Sequence, residues 1–145
     1  MSKKTRSIVI VAAILFLGFI MPVSALAATS KSSTTYYYSC MSGQKDGIYS
    51  MKLDGNKLII KGTFAKSTSS SKVSEKYFSG KTMKYKKITF VLAKNCKFYA
   101  TGGEDGKVAY TRETFKECYV TQPGLGLGFK VKVKNGKVVS ITTES

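Results

Sequence analysis

The sequence predicts a small, mainly β protein, with five short antiparallel strands closed into a barrel and one short helix between the third and fourth strands. Apolar and polar residues alternate in five short segments between residues 46 and 143, as they do in half-buried strands. Between residues 111 and 120 the apolar spacing changes to three and four residues, which is the spacing of a helix. The 145-residue chain has room for one domain of this size after an N-terminal signal segment.

The first two predicted strands form a hairpin. Met51 and Leu53 share one face of the first strand, and Leu58 and Ile60 share one face of the second. A two-residue Gly-Asn turn at 55–56 pairs Leu53 with Leu58 and Met51 with Ile60. The turn residues and the apolar register therefore predict the same pairing.

A polar stretch separates this hairpin from the third strand. Residues 66–76 are rich in serine and lysine and offer little to bury, so the pattern predicts a long exposed loop. The third strand is predicted near residues 83–93, where Ile88, Phe90 and Leu92 share one face.

The short helix is predicted over residues 111–120. Phe115, Cys118 and Tyr119 stand at positions i, i+3 and i+4, which lie on one face of a helix. Thr111 has a side chain suited to capping the first turn. The helix should therefore pack that face against the strands.

The last two strands form a second predicted hairpin. Phe129 and Val131 alternate with lysines along the fourth strand. A three-residue turn at 134–136 pairs Val131 with Val139 and Phe129 with Ile141. A two-residue turn would place a polar residue opposite Val131, so apolar pairing favours the three-residue turn.

This order of elements resembles the OB-fold, in the form of a small exported bacterial domain. The resemblance covers about residues 46–143 and depends on element order, without a family motif. It implies a five-stranded barrel that binds oligonucleotides or oligosaccharides on the second and third strands, between two particular hairpin loops. Both loops are short in this chain, which argues against a deep groove. An antiparallel meander with the helix across one end is the alternative.

The N-terminus has the features of a secretory signal peptide. A basic cluster at residues 3–6 precedes an apolar run at residues 8–21, and small residues follow. We place the cleavage after Ala27, with Ala25 as the second choice. An uncleaved N-terminal anchor is the alternative interpretation.

Cleavage divides the chain into three predicted parts. They are the signal peptide 1–27, a flexible Ser/Thr-rich leader 28–45 and a basic β-barrel domain 46–145. We therefore expect a secreted, extracellular protein with no transmembrane segment after cleavage. Loss of the three basic residues of the signal lowers the formal net charge from +16 to +13. Such a charge attracts polyanions, so the expected partners are an anionic wall polymer or an acidic glycan, with nucleic acid less favoured.

Lysines beside tyrosine are the candidate binding residues, because lysine neutralises an anionic polymer and tyrosine stacks on rings or sugars. They occur at the start of the third strand and on the fourth strand and its turn. The alternative is a solvated face whose lysines protect the strand edges from aggregation. The candidates are Lys84, Tyr85, Lys86, Lys87, Lys130, Lys132, Lys134 and Lys137.

The composition argues against most catalytic and metal sites. The chain has no histidine, which excludes Ser-His-Asp and Cys-His catalysis and removes the usual zinc ligands. We expect no cofactor and no metal. Export permits a disulfide, and Cys96 with Cys118 is the favoured pair, because Cys40 lies in the leader.

Three functions follow as hypotheses. The first is a non-enzymatic module that binds anionic polymers electrostatically at the cell surface. The second is a protein-binding or inhibitor domain that uses a sheet edge or the tyrosines at 36–38. The third and least favoured is a secreted hydrolase that uses Glu104, Glu113 or Glu117.

Overall fold

The protein is described from a computed structural model, which covers residues 31–81 and 83–145. The predicted signal peptide and its cleavage after Ala27 lie outside the described residues. Strands predominate in the described part, with two short helices. In chain order the elements are β1 Thr34–Cys40, β2 Ile48–Asp54, β3 Lys57–Gly62, β4 Ala65–Ser67, α1 Ser70–Phe78, β5 Lys86–Thr101, β6 Lys107–Tyr110, α2 Arg112–Phe115, β7 Gly128–Lys134 and β8 Lys137–Glu144.

The eight strands of this region form one open, mixed sheet. The order along the sheet is β2-β3-β5-β8-β7-β1-β4, and β6 pairs with β5. Strands β5 and β8 run parallel, and the other pairs are antiparallel. The mainly β class is confirmed, but the closed five-stranded antiparallel barrel is wrong.

Strand β5 explains why the sheet has two halves. It is 16 residues long, and its first half pairs with β3 while its second half pairs with β6. An irregularity between Leu92 and Lys97 interrupts its pairing with β8, and such irregularities bend a strand. The third strand was predicted to end near residue 93, because Lys94 and Asn95 interrupt the apolar alternation that continues after them.

The main core contains side chains from both halves of the sheet and from α2. Phe115 of α2 is fully buried, and its ring stacks on Phe98 at 4.9 Å and lies 6.3 Å from Phe129. Stacked and edge-on rings are favourable beyond the apolar area that they bury. Other fully buried members of this core are Met41, Ile48, Leu58, Ile60, Val131 and Ile141.

Strand β1 corrects the predicted leader. Residues Thr34–Cys40 lie between β7 and β4 inside the sheet, so this part of the 28–45 segment is ordered structure. Tyr37 points into the main core, 5.1 Å from Phe90, whereas Tyr38 points to the other face and is 5% exposed. Three consecutive tyrosines show no apolar–polar alternation, and for this reason the strand was missed.

Helix α1 corrects the long loop predicted at 66–76. The helix spans Ser70–Phe78 and packs Val73 against Tyr38 and Ala65 in a second, smaller core. Tyr77 lies four residues after Val73 and packs on the same cluster. A serine-rich segment has weak intrinsic helix propensity, so packing against β1 and β4 stabilises this helix.

The second helix is confirmed near its predicted place. Thr111 caps α2 by accepting a hydrogen bond from the Thr114 backbone N–H at 3.1 Å. A π-helical turn continues α2 through Lys116–Val120. This wider turn buries Val120 and leaves Cys118 exposed, although Cys118 was predicted to lie on the packed face of the helix.

The two hairpins differ in outcome. The first has the predicted register, with Leu53 opposite Leu58. The second turns through two residues, Asn135 and Gly136, both at positive φ, and a register shift after Lys132 then brings Val131 opposite Ile141. The predicted three-residue turn is wrong. A two-residue turn alone would place Ser140 opposite Val131, but the register shift in β7 places the apolar Ile141 there instead.

The backbone at the end of β3 lies very close to the backbone just before β2. Gly62 lies against the backbone of Gly47, and the Thr63 amide donates to the Gly47 carbonyl at 3.0 Å. A Cβ atom on Gly62 would collide with that carbonyl oxygen. This close approach of the two backbone segments therefore requires glycine at position 62.

We expect Gly62→Ala to lower the free energy of unfolding by about 1–3 kcal/mol, because the backbone must move to admit the methyl group. Gly124→Ala is the matched control, since nothing lies within 4 Å of its Cβ position. Urea denaturation measures both changes. Equal stability of the two variants would contradict the described close approach of the Gly47 and Gly62 backbones.

Candidate anion-binding face

The second face of the sheet, opposite the main core, carries lysines, tyrosines and hydroxyl groups on adjacent strands. One row across this face runs from Tyr36 on β1 to Lys132 on β7, Ser140 on β8 and Lys97 on β5. Directly paired residues project to the same side of a sheet. We call the side that carries this row the basic face.

A second row lies beside the first. It consists of Tyr38, Lys130, Thr142 and Tyr99 on the same four strands. The intervening residues of β7 and β8 point into the main core. The period of two along each strand therefore separates the core from the basic face.

Each lysine of the centre of the basic face lies near a tyrosine ring. The ammonium groups of Lys130 and Lys132 are each 5.9 Å from a ring centroid, that of Tyr38 and Tyr36 respectively. Lys107, the first residue of β6, lies 3.8 Å from the ring centroid of Tyr99. Cation–π attraction at such distances contributes about 0.5–1 kcal/mol at exposed sites and orients the side chains.

The centre of the basic face is a small cavity of about 190 Å³. Three strands form its floor, while the first residues of α1 and β6 also contact it. Its lining has three ammonium groups and four hydroxyl groups, and no carboxylate. The lining residues are Tyr36, Ser70, Lys107, Lys130, Lys132, Ser140 and Thr142.

One carboxylate lies beside this cavity. The Glu144 carboxylate forms an ion pair with the Lys130 ammonium group at 2.6 Å. The Glu144 side chain is 27% exposed, and the Lys130 side chain is 19% exposed. It is the only ion pair in the described part of the chain, which holds all eight acidic residues and all but three of the basic ones. Most lysines of the protein therefore have no carboxylate partner.

The structure brings together some of the residues predicted from sequence. Lys130 and Lys132 line the cavity, whereas Lys134 and Lys137 are exposed at the β7–β8 turn and stand outside its lining. Lys130 and Lys132 therefore lie on one side of a strand, as the alternation along β7 predicted. The turn carries the other two away from the cavity.

The second predicted group, at 84–87, lies elsewhere. Lys86 and Lys87 begin β5 where it pairs with β3, and Lys84 is exposed before the strand. Tyr85 makes an edge contact with Tyr49 at 6.5 Å. None of these residues lines the cavity.

Several residues of the site were missed. Ser140 and Thr142 alternate with buried Ile141 on β8, so the strand pattern itself indicated that they share a face. Tyr36 was assigned to the leader, and Ser70 to a loop. Lys107 had no local signal, because its place beside Tyr99 depends on the pairing of β6 with β5.

Two other cavities also have three basic side chains and no carboxylate in their lining. One is lined by Lys94, Lys97 and Arg112, and the other by Lys52, Lys61 and Lys87.

The three cysteines, Cys40, Cys96 and Cys118, are free thiols in this structure. Cys96 lies partly buried inside the sheet and Cys118 on the exposed side of the π-helical turn, and their pairing stays a prediction.

Residues 31–81 and 83–145 contain neither a metal-ligand cluster nor a long apolar helix. This part of the chain has no cluster of three or more cysteine, histidine or carboxylate side chains. Neither of its helices is long and apolar enough to cross a membrane.

Comparison with known proteins gives no family. No protein-family model, curated protein or solved structure matches the chain.

Burial makes one group of this region sensitive to alkaline pH. Desolvation, with a smaller effect of the Glu144 carboxylate, raises the pKa of Tyr38 from 10.0 to about 12. The folded state therefore holds the phenolic proton over a pH range in which the unfolded chain has lost it. Stability from this group is complete below pH 10 and is lost as the pH rises towards 12.

We expect the free energy of unfolding to fall by roughly 2 kcal/mol through Tyr38 between pH 9 and pH 12. Tyr38→Phe should show a smaller fall, and the difference between the two proteins isolates this group from titrating lysines. Urea midpoints at the two pH values measure it. The same decline in both proteins would assign the effect to other groups.

Proposed function

We propose that this protein is a secreted, non-enzymatic module that binds anionic polymers through the basic face of its sheet. The observation that supports this most directly is the convergence of Lys107, Lys130 and Lys132 on one cavity without a carboxylate in its lining. The extracellular setting of the proposal depends on the signal sequence at residues 1–27.

Electrostatics favours a polymeric ligand over an isolated small anion. The lysine at 97 extends the row beyond the cavity, and it is exposed. Because this row continues past the cavity, a chain of charges can contact several lysines at once. Release of counterions from such a polymer makes the binding strongly dependent on salt.

The alternative functions have less support. Tyr36 to Tyr38 were the proposed protein-binding anchors, but they belong to β1, where Tyr38 is buried. The outer strand β4 has three residues and is in contact with α1, so the open edge that another strand could use is that of β2 at the other end of the sheet.

A hydrolase is likewise disfavoured. Glu113 and Glu117 are exposed on α2 and its π-helical continuation, and Glu104 is exposed in the turn before β6. A catalytic acid usually lies in a buried or enclosed site, and these three carboxylates are exposed.

Reversal of charge at the cavity tests the proposal. We expect the double variant Lys130→Glu, Lys132→Glu to elute from heparin at lower salt, with the slope of log affinity against log salt reduced by about two. The matched control is Lys57→Glu, Lys81→Glu, which makes the same charge change at exposed positions outside the described cavities. An equal loss in the control, or retention that ignores ionic strength, would refute the proposal.

Removal of the adjacent carboxylate should have the opposite effect. Glu144→Gln frees the Lys130 ammonium group, so affinity for heparin should rise roughly two- to fivefold, as expected for a partly exposed charge pair. Glu117→Gln, on the exposed surface of the π-helical turn, is the control with the same change in net charge. A rise of equal size in both variants would show a general charge effect instead of a local one.

A further inference from the structure

The cavity of the basic face is too small to enclose a whole polymer unit with its neighbours. Its volume of about 190 Å³ is below the roughly 300–1,000 Å³ of pockets that enclose a whole drug-sized ligand. A repeating polymer can place one charged group of its backbone in such a cavity while neighbouring units lie on the open sheet.

The donors around the cavity come from several directions. Three lysines on β6 and β7 each offer three N–H protons, and hydroxyl groups from β1, α1 and β8 add further donors. One N–H of Lys130 is directed to Glu144. A carboxylate has two oxygens in one plane, whereas a phosphodiester holds its two charged oxygens and two ester oxygens in a tetrahedron around phosphorus, which suits donors on several sides.

The hydroxyl groups on β8 are held in place by the core. Ser140 and Thr142 flank Ile141, which is fully buried. In the strand pairing they lie opposite Lys132 and Lys130 of β7, respectively. A site on a packed strand keeps its geometry better than a site on a loop. These two hydroxyls are therefore the uncharged donors that can distinguish one anion from another.

The tyrosine rings of this face are poorly placed for base stacking. The ring of Tyr38 is buried, and the rings of Tyr36 and Tyr99 are half-buried beneath the ammonium groups of Lys132 and Lys107. Single-stranded nucleic acids gain much of their affinity from open aromatic platforms. The face therefore favours a phosphate polymer without bases.

We propose that the cavity lined by Lys107, Lys130, Lys132, Ser140 and Thr142 seats one phosphoryl group of a polyol phosphate polymer. This inference depends on the proposed function, because it identifies the anionic polymer that the basic face binds.

The test uses a variant that keeps the charge. Ser140→Ala, Thr142→Val removes the two hydroxyls of β8. The control variant Ser33→Ala, Thr89→Val makes the same chemical change at exposed positions outside the described cavities. The probes are poly(glycerol phosphate), poly-glutamate and a single-stranded oligonucleotide, at equal concentrations of charge. Affinities are measured by titration at low salt, and thermal unfolding checks that each variant is folded.

We expect the β8 variant to lose about tenfold in affinity for poly(glycerol phosphate) and less than twofold for poly-glutamate, because charged hydrogen bonds to the phosphoryl group are lost. The control variant should match the wild-type protein. Equal losses for both polymers, or no loss for either, would overturn the phosphoryl site. Tighter binding of the oligonucleotide than of poly(glycerol phosphate) would overturn the choice of a polymer without bases.

A measurement on the wild-type protein covers the case in which the β8 variant fails to fold. Inorganic phosphate should shift the backbone amide resonances of Ser140 and Thr142 at lower concentration than acetate does. Equal shifts with both anions would overturn the phosphoryl site.

The two proposals fail in different ways. If the wild-type protein binds none of the three polymers, the proposed function is wrong. If it binds all of them alike and the β8 variant is unchanged, the proposed function stands and the phosphoryl site is wrong.

Discussion

The alternation of side chains along β7 and β8 is the constraint on which both the core and the basic face depend. Val131 and Ile141 are fully buried and lie opposite each other, while Lys130 and Lys132 project from the other side of the same strand. Since a one-residue slip would exchange the two faces, burial of the apolar residues also determines where the lysines point. The burial of Val131 and Ile141, which stabilises the fold, thus also fixes the direction of the charged side chains of the site.

The basic face concentrates charge that the protein itself does not neutralise. One carboxylate pairs with one lysine of this face, and the tyrosine rings provide weaker contacts for the others. Mutual repulsion among the lysines costs folding free energy, which an anion bound to the folded state would offset. The proposed binding role would explain why these lysines lie close together, whereas solubility requires only dispersed charge.

Local patterns predicted the elements whose turns and apolar residues agree. The hairpin of β2 and β3 has the expected register, and the threonine cap at 111 marks the start of α2. Patterns failed where the fold depends on distant partners. Tyr36 to Tyr38 form a strand because β7 and β4 lie on either side, and the serine-rich α1 is a helix because Val73 packs on Tyr38. Neither partner can be inferred from the local segment.

The sequence alone determined the mainly β class, the charged side of β7 and hence the prediction that Lys130 and Lys132 share a surface. These properties arise from neighbours along one strand, whose side chains alternate by geometry. The tertiary structure decided that the sheet is open and mixed, and it brought Lys107, Ser70 and Tyr36 to the same cavity. Those residues lie far apart in the chain, and only the pairing of β1, β5 and β6 and the packing of α1 place them together, through contacts that local periodicity does not specify.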